Sequence, residues 1–97
     1  KAARFEEALP LLEKQARSAA DPRQKARATL QAGACYAALK NWPKAERAFH
    51  DVELFCDDEA LRPVALARLA DLYDKTNRPD QAASARSELK RRFPDWK

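Results

Sequence analysis

The chain of 97 residues has one glycine, one histidine, two cysteines and no methionine. Each scarcity removes a class of function. With Gly33 alone, no glycine-rich loop can cradle a phosphate. His50 has no cysteine or histidine at ligand spacing and falls on a polar helix face, so it reads as an exposed bystander rather than a metal ligand or a catalytic base. Cys35 and Cys56 are too few for a disulfide framework. On the hairpin reading below they are separated by ~13 Å along the helix axes, beyond the ~7 Å that a bridge tolerates, and both read as reduced, small apolar fillers. No apolar run approaches the ~18 residues of a membrane span, and the N-terminal residues lack the apolar core of a signal peptide. The acidic triplet Asp57-Asp58-Glu59 does not converge on a metal without further ligands and reads as solvated capping charge. No catalytic residue, no metal and no cofactor is expected.

What the chain does have is helix-forming side chains. Apolar residues make up 45% and charged residues 35% of it, and Ala, Leu, Arg, Lys, Glu and Gln dominate, all strong helix formers. An all-α class follows. The formal net charge of +4 comes from 19 basic and 15 acidic residues, interspersed as on a solvated helical surface. Nucleic-acid binding is disfavoured, because the basic residues do not gather on one face and the run Lys90-Arg91-Arg92 ends a helix, where the helix dipole favours cations anyway. Because the chain opens on Lys1, it is read as a piece of a longer protein, with its compartment left between the cytoplasm and a bacterial periplasm or cell envelope.

Five helices are expected. The first spans Phe5 to Ser18, with Phe5, Ala8, Leu9, Leu12 and Ala16 at three- and four-residue steps and Pro10 just past its first turn. Asp21-Pro22 is a start signal for a second helix from about Arg23 to Leu39. Asn41-Trp42-Pro43 separates it from a third, ending near Phe55, whose apolar stripe is Ala45, Ala48, Phe49, Val52 and Phe55. Lys44, Glu46, Arg47, His50 and Glu53 cover its polar face. A fourth helix starts between Asp58 and Pro63 and runs to about Lys75. A fifth runs from Pro79 to Arg92 with Ala82, Ala85 and Leu89 inward.

The pattern repeats. Ala8, Ala45 and Ala82 stand 37 residues apart, as do Tyr36 and Tyr73, and Asp21, Asp58 and Asp95. A period of this size is the signature of stacked helix hairpins. Close crossing needs small side chains, and Gly33 is expected to face Ala45 as Ala70 faces Ala82. Tyr36 and Phe49 flank the first crossing and Tyr73 the second, where Arg86 replaces Phe49 and turns a face of the last helix to solvent, as terminal capping units do.

Gly33, Tyr36, Trp42, Ala45 and Phe49 in one unit, and Ala70, Tyr73, Ala82 and Pro94 in the next, resemble the tetratricopeptide repeat family. The first helix matches only as the second half of a repeat. The resemblance covers essentially the whole chain and divides it into a half repeat at 5–20 and repeats at 23–56 and 60–94. The spacing exceeds the family's usual 34 or so residues and is similar to that of longer-spaced repeats in bacterial cell-envelope assembly factors.

The resemblance implies a right-handed α-solenoid of antiparallel hairpins whose concave surface grips a peptide or partner helix, without enzymatic activity. Carried over by position, the lining is Arg27, Leu30, Ala34, Ala37 and Ala38 from one repeat and Val64, Ala67, Asp71, Asp74 and Lys75 from the next, with Gln31 and Arg68 at its edge. The Lys and Asn clamp that some members use for a terminal carboxylate is absent, since Leu30 and Ala34, then Ala67 and Asp71, take those places. The alternative is homo-oligomerisation, through the uncovered stripe of the first helix around Leu9 and Leu12 or through Trp96.

Overall fold

The computed structural model describes residues 2–55 and 59–96. Among them are five α-helices and no strand: α1 (Ala2–Ser18), α2 (Pro22–Ala38), α3 (Trp42–Phe55), α4 (Arg62–Lys75) and α5 (Pro79–Arg92). The expectations for Cys56, Asp57 and Asp58 lie outside the described residues.

Local chemistry accounts for most of the boundaries. Asp21 caps α2 by accepting the Arg23 amide at 2.9 Å, and Pro22 takes the first helical position, where its missing N–H costs nothing. The start of α4 falls late in its expected window, at Arg62 with Pro63 next and no side-chain cap. Glu59 pairs with Arg62 across that start at 3.3 Å. α1 begins earlier than expected, so Pro10 stands in its third turn and leaves the Glu6 carbonyl without its usual donor. Both residues are exposed, so water can take that bond.

The two hairpin turns are copies of each other. Lys40 and Asn77 adopt left-handed backbone, with φ of 63° and 60°. The amide after each reaches back to the tyrosine carbonyl, Asn41 to Tyr36 and Arg78 to Tyr73, both at 2.8 Å. The left-handed residues donate to Ala37 and Asp74, at 3.0 and 3.3 Å. This is the two-bond helix stop that satisfies the last carbonyls of a helix, here made twice, 37 residues apart, without glycine.

Packing is strongest in the second half. One buried cluster joins Ala45 and Phe49 of α3 with Leu69, Ala70, Leu72 and Tyr73 of α4 and Ala82 and Ala85 of α5. A smaller one joins Ala26, Val52 and Ala65, and Leu30 packs on both. No described side chain of α1 belongs to the buried core; that helix packs on α2. The radius of gyration, 13.2 Å, is that of a compact chain of about 100 residues.

The close approach in the first hairpin differs from the expected Gly33–Ala45 contact. A Cβ on Gly33 would stand 2.7 Å from Phe49 Cε1 and 3.1 Å from the Ala48 methyl. The glycine therefore makes room for the phenyl ring, which is 1% exposed. Two further expectations are corrected. Phe55 is 78% exposed, at the edge of a cleft between α2 and α3 rather than packed into the core. Glu53, assigned to the polar face, is buried beneath the end of α5, whose Arg92 supplies its counter-charge at 2.6 Å.

Candidate interaction surface

The residues expected to line a groove divide into three groups. Arg27, Gln31 and Ala38 on α2 and Arg68, Asp71, Asp74 and Lys75 on α4 are exposed. Ala34, Val64 and Ala67 are half-buried. Leu30 and Ala37 are half-buried against the core clusters, where they hold α2 in place. The structure brings Arg27 and Gln31 together along a cleft between α2 and the end of α1 that also includes Gln15 and Ser18. Asp71 and Asp74 come together on Arg86 of α5, Asp71 at 3.6 Å and Asp74 in a closer ion pair. The Arg86 guanidinium, by hydrogen bond and charge, holds the Asp74 carboxyl below its ordinary range. Much of the negative charge expected in the groove is thus answered within the chain.

A polar network on the other side of the tyrosines escaped the sequence reading. Tyr73 Oη lies 3.0 Å from His50 Nε2 and donates to Glu46 at 3.4 Å. Glu46 also accepts from Arg78 at 2.8 Å, and the Arg78 guanidinium lies over the Tyr73 ring, 4.8 Å from its centroid. His50 is therefore half-buried and hydrogen-bonded, not the exposed bystander expected. Burial opposes ionisation of Glu46, but the Arg78 hydrogen bond and charge outweigh it and hold the carboxyl below its usual range. Burial, then the Glu46 charge, pushes the Tyr73 hydroxyl up.

The equivalent in the first hairpin is simpler. Tyr36 donates to Glu13 of α1, and that bond, with burial, pushes its hydroxyl up to about 12. Lys44 stands over the Tyr36 ring at 5.6 Å. In both hairpins the tyrosine meets the residue 23 positions before it. That shared spacing was the available signal, hidden because glutamate and histidine look unrelated.

Outside this network, Arg91 and Arg92 pair with Glu88 and Glu53, so two cations of the Lys90-Arg91-Arg92 run are already answered. Large exposed apolar side chains are Leu11 on α1, Leu54 and Phe55 at the end of α3, and Trp96. Cys35 carries a free thiol, buried, and burial pushes its pKa up, away from a reactive thiolate. No helix of the described residues is long and apolar enough to cross a membrane. Comparison with protein-family models, with curated proteins and with solved structures finds no match to this chain.

Proposed function

We propose that the chain is a tetratricopeptide-type α-solenoid serving as a protein-interaction scaffold, gripping a peptide or partner helix along the surface carried by α2 and α4. The observation that supports this is the repetition of one hairpin stop and one tyrosine contact at a 37-residue interval. Stacked copies of a hairpin align equivalent helix faces, and such arrays use the aligned face as an extended binding surface. Arg27, Gln31 and Ala38, with Arg68, Asp71 and Lys75, would offer it small and charged positions that admit a backbone closely and orient it by charge.

Peptides selected from a random display library on the immobilised chain test the reading. Their affinity is expected to fall about tenfold when Arg68 and Asp71 are both replaced by alanine, with helicity unchanged. Equal affinity would remove this surface from the proposal.

A second reading, self-association, has its own observation: Leu9 and Leu12, expected to be uncovered, are half-buried, but Leu11 of α1 is 66% exposed and Trp96 is 39% exposed near the other end. Sedimentation at rising concentration separates the two, since a strict monomer at high micromolar concentration eliminates the oligomer.

A further inference from the structure

The repeat also produces two equivalent clefts. The first, about 330 Å³, lies among α1, α2 and α3 and is floored by Thr29, Ala32, Tyr36 and Ala48. The second, about 320 Å³, lies among α3, α4 and α5 and is floored by Leu66, Leu69, Tyr73 and Ala85, the residues 37 positions on. The walls differ in charge. Lys44 and Arg47 line the first cleft and Gln81 and Ser84 take their places in the second, while Arg17 of α1 adds a third cation to the first alone.

The second cleft works as an internal control. Its hairpin forms the same turn and the same tyrosine contact with neutral residues at those positions, Arg78 lying over the tyrosine ring where Lys44 does in the first, so neither the turn nor the contact requires cations at positions 44 and 47. Nor do the described residues neutralise them. Among the described residues no carboxylate comes within ion-pairing distance of Arg17, Lys44 or Arg47, whereas Arg78, Arg86, Arg91 and Arg92 of the second half are all paired. Three cations on two helices, none paired with a carboxylate among the described residues and Lys44 lying over the Tyr36 ring, therefore rim a small-residue floor with that tyrosine at its base. Glu13, the acid beside that tyrosine, is engaged by its hydroxyl; Asp51 is the other acid in the wall.

We propose that the cleft among α1, α2 and α3 is a docking site for an acidic peptide segment whose carboxylates pair with Arg17, Lys44 and Arg47 while an apolar side chain between them settles on Ala32 and Ala48. Cations on opposite walls suit carboxylates spaced along a chain better than one compact anion. A nucleic-acid backbone, charged at every step, would meet Asp51. This site lies apart from the α2 and α4 surface proposed above and does not rest on it.

The probe is a blocked hexapeptide alternating glutamate and leucine, titrated into the isotopically labelled chain and followed by amide NMR. Saturable shifts centred on Thr29, Ala32 and Ala48 are expected. Replacing Lys44→Gln and Arg47→Ser, the residues of the second cleft, should weaken binding by about three- to thirtyfold with the thermal midpoint retained. Added salt should weaken it as well. Shifts centred on Leu66, Leu69 and Ala85, or on Arg68 and Asp71, would overturn the proposal. So would equal binding of the lysine-for-glutamate peptide, displacement of the peptide by a single-stranded oligonucleotide at lower concentration, or no saturable shift at millimolar peptide.

Discussion

Tyr73 Oη stands 3.0 Å from His50 Nε2, and Tyr36 reaches Glu13 across the same 23-residue interval one hairpin earlier. The position opposite the tyrosine is conserved in geometry within this one chain while its chemistry changes from carboxylate to imidazole. The second version recruits Glu46 and Arg78 as well, and it sits over the better-packed half of the molecule.

Acid should therefore weaken the fold through Glu46. Its folded pKa lies below the ordinary 4.5 because Arg78 outweighs the effect of burial. The contribution is complete above that ordinary value and is lost as pH falls through the folded one. Glu46→Gln should flatten the decline in unfolding free energy below about pH 4.5, measured by urea titration at several pH values. Superimposable slopes for the two proteins would show that the network carries no pH-linked stability.

At the alkaline end the sign reverses in Tyr36. A hydroxyl pushed up to about 12 by Glu13 contributes stability that is whole below its ordinary value of 10 and is lost as pH rises towards 12. Absorbance titration of tyrosinate should show Tyr36 ionising well above the usual range, with Tyr73 raised as well, and Glu13→Gln should bring Tyr36 down. A curve indifferent to that substitution would place the Tyr36 hydroxyl away from Glu13.

Gly33→Ala puts two effects in opposition. Helix propensity favours alanine by about 1 kcal/mol, but the new methyl would sit 2.7 Å from a ring that is 1% exposed, and over-packing costs about 1–3 kcal/mol. Net destabilisation of about 1 kcal/mol is expected, and Phe49→Leu should recover part of it in a double-mutant cycle. Additive losses would mean the two side chains do not meet. The second hairpin supports the pairing: Ala70 stands at the glycine's place, and Arg86 replaces the phenyl ring.

Lys40 holds a left-handed conformation, φ 63°, that costs an ordinary side chain about 1–2 kcal/mol. Glycine removes the strain and returns part of the gain as unfolded-state entropy, so Lys40→Gly should stabilise the chain by about 0.5–1 kcal/mol. Asn77→Gly should gain less, because asparagine tolerates this region better. Thermal melts of both variants check the ranking; a loss at Lys40 would contradict the observed turn.

Helix formation and its punctuation were legible because their causes are local. Asp21-Pro22 marked a start, Asn41-Trp42-Pro43 a break, and α5 fell on Pro79 to Arg92 as expected. The period of 37 was legible too, and it reappears in the paired turns. Of the expected groove, the sequence could say which residues share a helix face, but not that Leu30 and Ala37 would be held against the core or that Asp71 and Asp74 would be drawn to Arg86.

By itself, then, the sequence determined the helices, their turns and their repetition, through backbone propensity, capping and the spacing of small and aromatic residues. Only the tertiary structure decided which charges are answered. Glu53 is covered by Arg92, 39 residues away, Tyr73 finds His50 rather than water, and Phe55 is left in the open. Such pairings depend on how helices cross and how far a long side chain reaches from each crossing, and no local pattern encodes that. The same dependence leaves Arg17, Lys44 and Arg47 without carboxylate partners among the described residues around the first cleft, while Arg78, Arg86, Arg91 and Arg92 find theirs.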